Sequence, residues 1–177
     1  MEHFQKRKVI TRVLIGVVGV ISVIWAILVW NNTHISQINI SEYAIYEAGS
    51  DGYEMYIDNV SCSKDDFSIT KDYISIGGWV VNKNESMDQV TIDVILINTG
   101  TGIAYVIPTT VQEREDVTEY FGRDNLNWSG FTIRIPYGKI DTEKNSYRIA
   151  ALLKINGRDA VIVDSGKNTE DFRGNEK

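Results

Sequence analysis

Between Tyr53 and Val163 the sequence returns again and again to an alternation of apolar and polar residues, interrupted by turn residues. Ile74, Ile76, Gly78 and Val80 alternate with Tyr73, Ser75, Gly77 and Trp79, while Val90, Ile92, Val94 and Leu96 are separated by residues such as Thr91 and Asp93. Phe131, Ile133 and Ile135 resume the pattern up to Pro136, and Tyr147, Ile149, Ala151, Leu153 and Ile155 repeat it. A period of two puts successive side chains on opposite faces of a strand, so each segment reads as a strand buried on one side. Met55, Ile57 and Val60 suggest a first strand. Asn98-Thr99-Gly100-Thr101-Gly102 is a hairpin turn from which residues 103–108 return, and Asn156-Gly157 is a two-residue hairpin signal leading into 160–163. The acidic stretch 112–127 lacks this period and reads as a long connection. About seven strands without an amphipathic helix predict a mainly β domain, an immunoglobulin-like antiparallel β-sandwich, with an open barrel as the alternative.

The N-terminal region obeys a different rule. Residues 13–30 contain no charge, and at ~1.5 Å per residue they make about 27 Å of helix, close to the ~30 Å hydrocarbon core of a bilayer. Val9, Ile10 and Thr11 extend the run, with Arg12 snorkelling to the headgroups, and Trp25 and Trp30 fall near the far interface. Lys6, Arg7, Lys8 and Arg12 precede the run, and the next basic residue is Lys64. The positive-inside rule then predicts a cytoplasmic segment at 1–12, an uncleaved transmembrane signal anchor at 13–30 and an extracellular remainder. A cleaved signal peptide is the competing reading, but its apolar region is shorter and ends in a small-x-small site that Ile27-Leu28-Val29-Trp30 does not offer. Gly16 and Gly19 lack GxxxG spacing. Residues 31–52 are polar and end in Gly49-Ser50-Asp51-Gly52, so they read as a juxtamembrane stalk, with a helical continuation or an early strand around 38–46. The sandwich is expected over 53–167 and a flexible tail over 168–177.

Charge and cysteine usage exclude several functions. Four of the 18 basic residues lie in the first thirty, leaving 14 against 23 acids beyond residue 30, a net charge of −9. Such a domain repels nucleic-acid phosphate and anionic polymers such as teichoic acid. Cys62 is the single cysteine, so there is no intrachain disulfide, and an outer domain stabilised by core packing alone points to a bacterial cell envelope. Sequons occur at Asn31, Asn39, Asn59, Asn84 and Asn127, which bacteria mostly leave unmodified.

Histidine is the usual general base and a common metal ligand, and the only two are His3 and His34, both outside the expected sandwich. No Ser-His-Asp, Cys-His or zinc constellation is available, and Ile76-Gly77-Gly78-Trp79 has neither the lysine nor the spacing of a phosphate loop. The chain is therefore read as a non-enzyme without cofactor, with a carboxylate-pair hydrolase left open. Glu113, Glu115, Asp116, Glu119 and Asp124 cluster without matching a calcium loop, and Arg114 and Arg123 sit among them. Aromatic residues are the better lead. Trp79 is expected in the core, its indole lying on the bare backbone of Gly77 and Gly78. Tyr120, Phe121 and Trp128 are the candidate platform for a sugar ring, since apolar ring faces stack on aromatics; Tyr105 and Tyr137 are weaker candidates.

Ile76-Gly77-Gly78-Trp79, Arg114-Glu115-Asp116-Val117 to Phe121, Ser129-Gly130-Phe131 and Tyr147-Arg148-Ile149 occur in that order. This order resembles small β-sandwich ectodomains of Gram-positive cell-envelope proteins, some found beside glycan-assembly machinery. The resemblance spans residues 72–167 and implies a fold and a location rather than a reaction. The expectation is a single-pass envelope protein, anchored in the lipid bilayer through 13–30, whose domain binds an envelope polysaccharide. The alternative is a non-enzymatic accessory subunit docking on a membrane-bound glycan-assembly enzyme or transporter.

Overall fold

The computed structural model describes residues 13–27, 35–63, 73–136, 140–142 and 144–175. The expected basic segment 1–12, the end of the expected span at 28–30, both histidines and Tyr137 lie outside them. The chain divides into Met1–His34 and Ile35–Lys177. In the first unit, residues 13–27 form a helix, α1, with its apolar side chains exposed from Val13 to Ile27. Its one described hydroxyl, Ser22 Oγ, donates to the Val18 carbonyl at 2.9 Å. Among the described residues no helix is long and apolar enough to cross a membrane.

The second unit is mainly β. Ser36–Ile38 (β1) and Ala44–Glu47 (β2) come first. Tyr53–Ser63 (β3), Tyr73–Asn82 (β4), Val90–Asn98 (β5), Ala104–Ile107 (β6) and Thr109–Gln112 (β7) follow. A short helix, Glu115–Phe121 (α2), then leads to Gly130–Pro136 (β8), Tyr147–Ile155 (β9) and Val161–Asn168 (β10). One sheet has the order β3-β4-β8-β7 and is antiparallel throughout. The other has the order β1-β6-β5-β9-β10-β2 and is antiparallel except for the β2–β10 pair. The residues expected to face inward do so. Ile57, Ile76, Val80, Phe131 and Ile133 of the smaller sheet meet Ile92, Val94, Leu96, Ile149 and Leu153 of the larger in one core.

Two irregularities have plain causes. Ile57 pairs with Gly78 but Asn59 pairs with Gly77, which leaves Asp58 as an extra residue, a β-bulge. The bulge is why the apolar spacing runs Met55, Ile57, then Val60: one added residue restores the inward face. Between β6 and β7 the chain changes sheets at Pro108, which has no N–H to give a ladder. The Thr109 hydroxyl bridges the ladder there, accepting from the Val94 N–H and donating to the Ile107 carbonyl, each at 2.8 Å.

Two expectations are corrected and two are refined. Residues 35–52 are not a stalk: β1 pairs with β6 at one edge of the larger sheet and β2 with β10 at the other. The segment between them crosses the outer face as a strap, where Ile38, Ile40 and Tyr43 pack against Ile95, Ala104, Ala150 and Ile162, all nearly inaccessible to solvent. Burial of that second apolar layer is what holds the strap down. The C-terminal segment is not a free tail either. Thr169–Asn175 form a 3-10 helix, Thr169 is buried with its Oγ1 accepting from the Tyr147 N–H, and Phe172 packs on the core. The 112–127 connection is structured, carrying the end of β7, α2 and part of a 3-10 stretch, Asp124–Ser129. Asn156 and Gly157 both have positive φ, 50° and 72°, as a primed turn requires, but pairing resumes only at Val161 opposite Leu153.

Candidate functional site

Because Met55 and Ile57 point inward, Tyr56 points outward, and its partner across the ladder is Trp79. Their rings stack on the outer face of the smaller sheet, centroids 6.3 Å apart and 26° between planes. Trp79 is therefore not a core tryptophan lying on Gly77 and Gly78. The bare backbone of Gly78 instead serves Phe131 from the core side: a Cβ there would sit 2.8 Å from Phe131 Cζ and 2.3 Å from the Tyr56 carbonyl oxygen.

The connection from β7 to β8 folds α2 up beside this pair. Glu115 and Asp116 occupy its first turn, where acids suit the helix dipole. Val117 is buried in the core, and Gly122, with φ 63°, ends the helix. The N–H groups of Gly122 and Arg123 return to the carbonyls of Glu119 and Thr118, as in a Schellman cap. This stop places two aromatics in the last turn. Phe121 meets Trp79 edge-on at 5.8 Å, and Tyr120, 80% exposed, meets Phe121 edge-on at 4.9 Å.

Arg114, just before α2, ties the helix to the sheet. Its Nε and Nη2 donate to the two oxygens of Asp116, each at 2.7 Å, and its Nη1 donates to Asp58 Oδ2 at 2.5 Å. Asp58 is the bulge residue, so the extra residue of β3 aims a carboxylate at this cation. The side chain of Arg114 is 19% exposed, against 39% for Asp58 and 66% for Asp116. Hydrogen bonds to Asp116 and then Asp58 outweigh burial and hold the guanidinium protonated more firmly than an ordinary arginine. The same bonds hold the Asp116 carboxyl below the usual carboxylate range.

Tyr56, Asp58, Trp79, Arg114, Asp116, Val117 and Tyr120 line an open groove of about 360 Å³. It offers aromatic faces, phenol hydroxyls and carboxylate oxygens with lone pairs to spare, a set suited to holding a polar ring with an apolar face.

Of the residues expected to form the platform, Tyr120 lines the groove and Phe121 backs Trp79. Trp128, 43% exposed in the 3-10 stretch, is not among the lining residues. Tyr105 meets Tyr147 edge-on at 6.4 Å, away from the groove. Tyr56, Asp58 and Arg114 were missed. The parity of Tyr56 between two inward residues was the available signal, whereas the Arg114–Asp58 pairing joins residues 56 positions apart and had none. Set against family models, curated proteins and solved structures, the chain matches none of them.

Proposed function

We propose that this chain is a membrane-anchored binding module of the cell envelope, with an extracellular immunoglobulin-like β-sandwich that holds a polysaccharide in the groove between β3, β4 and α2. The observation that carries the reading is the solvent-facing aromatic wall of Tyr56, Trp79 and Tyr120, set beside the Asp58–Arg114–Asp116 cluster. Aromatic faces with a few fixed polar groups are what sugar rings dock on. The strand order supports the sandwich. With β3 to β10 taken as A, B, C, C′, D, E, F and G, the sheets read A-B-E-D and C′-C-F-G. Tyr147, buried at the start of the F-like strand, stands where that fold keeps its corner tyrosine.

Anchoring is supported by α1, apolar and exposed along its length, by the basic residues before it, and by Ser22 meeting its hydrogen-bonding needs within the helix, as lipid demands. Within the groove Asp116 is a poor candidate for the general acid of a carboxylate hydrolase, which needs a raised pKa, because Arg114 moves it the other way.

The test is a pull-down of the full chain, solubilised in detergent, on washed cell walls and isolated envelope polysaccharides, beside Tyr56→Ala and Tyr120→Ala. Retention that falls in both variants supports the groove as the site. No retention on any wall fraction overturns the reading.

A further inference from the structure

From the same groove, and resting on the binding function proposed above, we infer that the ligand is an uncharged polysaccharide recognised through vicinal hydroxyl groups, and that the site rejects anionic polymers. The inference turns on how Arg114, the one cation among the described residues lining the groove, is used. An arginine in a glycan site ordinarily attracts carboxylate, phosphate or sulfate, which its planar fork matches bidentately. Here three of the five N–H groups of that fork are already donated within the protein. Nε and Nη2 are bonded to both oxygens of Asp116, and Nη1 to Asp58. An anionic ligand is left two N–H groups and must approach them between two carboxylates that repel it.

Electrostatics push the same way. Two carboxylates and one guanidinium line the groove, so its formal charge is negative, on a region beyond residue 30 that carries −9. A polyanion approaches against that field. A strongly cationic ligand meets Arg114 between the carboxylates and gains little. What remains unmet is acceptor capacity. Each oxygen of Asp58 has a lone pair beyond anything Arg114 uses, and two oxygens of one carboxylate span a pair of neighbouring hydroxyls. Tyr56 and Tyr120 present the faces on which the apolar side of the same ring lies, with Trp79 half-buried between sheet and helix. A volume of about 360 Å³ sits at the small end of the roughly 300–1,000 Å³ range of ligand sites, suited to a short stretch of sugar rings rather than to a folded partner.

The experiment titrates the full chain in detergent with neutral oligosaccharides of glucose, galactose, mannose and N-acetylglucosamine, and in parallel with polygalacturonate and poly(glycerol phosphate). Binding is followed by tryptophan fluorescence and calorimetry, at low and at high salt. The inference expects a neutral ligand to bind with an affinity that barely changes with salt. Its affinity should fall at least about tenfold in Tyr56→Ala and by a similar factor in Asp58→Asn. Binding of a polyanion that weakens steeply with salt and strengthens in Asp58→Asn would overturn the inference while leaving a polysaccharide-binding groove in place. If no polymer of either kind binds, the function and the ligand class fall together. The salt dependence is read on the unaltered chain, so the inference stands or falls even where Asp58→Asn fails to fold.

Discussion

The stem of Arg114 lies against Gly130 so closely that a Cβ added to the glycine would come within 2.6 Å of Arg114 Cγ and 2.9 Å of the Gln112 carbonyl oxygen. Gly130 stands opposite Trp79 in the ladder, so the arginine reaches Asp58 by passing over a position beside the indole that has no side chain. The order Arg114, Asp116, Phe121, Gly130 in the sequence thus describes a single contact network: cation, helix anchor, aromatic support and the gap that admits the cation.

Arg114→Ala is expected to lower stability by about 1–3 kcal/mol, since it leaves two carboxylates facing each other and empties the space over Gly130. Arg114→Lys should recover only part of that, because an ammonium cannot bond both oxygens of Asp116 and reach Asp58 together. Urea unfolding of the three proteins checks the order.

Gly78→Ala should be among the most damaging single changes. The new methyl would sit 2.3 Å from a backbone oxygen and 2.8 Å from Phe131, and neither belongs to a flexible chain end. A loss of about 2–4 kcal/mol is expected, against a much smaller loss for Gly157→Ala, where nothing lies near but φ is 72°. Thermal melts of the two variants separate crowding from backbone strain.

Two aspartates should respond oppositely to acid. Arg114 lowers the folded-state pKa of Asp116, so its contribution is present above its unfolded pKa near ~3.9 and is lost as pH falls through the lower folded value. Asp116 is 66% exposed, so the effect is modest, at most about 1 kcal/mol. Burial raises the pKa of Asp93, so the folded state holds its proton more tightly and stability declines as pH rises through the unfolded and then the folded value. Asp93→Asn is expected to be more stable than the unaltered chain at neutral pH, with the gain vanishing below about pH 4, and Asp116→Asn less stable at neutral pH. Unfolding curves from pH 3 to 7 would decide both signs.

Removing residues 35–47 should bare Ile95, Ala150 and Ile162 on the outer face of the larger sheet. The expected result is binding of a hydrophobic dye and self-association, with a domain beginning at Ile35 showing neither. Light scattering beside dye fluorescence distinguishes them.

Strand faces were legible because burial on one side writes itself into every second residue, as in Ile74, Ile76, Gly78 and Val80. Even the bulge left its trace in the three-residue step from Ile57 to Val60. The strap left none: Ile38, Ile40 and Tyr43 are spaced among polar residues, and only a sheet assembled from strands more than fifty positions away gives them a surface to cover. Within the groove, the exposure of Tyr120 followed from its place in an acidic, non-alternating stretch. The role of Arg114 did not, because an arginine among five acids looks solvated until the bulge at Asp58 is placed opposite it.

The pairing of β2 with β10 has a mechanical side. The two strands run parallel, with Ala44 beside Val161 and Glu47 beside Asp164. Tension between the chain entering β2 and the chain leaving β10 therefore pulls along the ladder rather than across it. Its hydrogen bonds share the load and yield together, whereas an antiparallel hairpin pulled from its open end would unzip one rung at a time. Once β1 and the strap have peeled away, this short parallel pair is the element that sets how much force the domain bears.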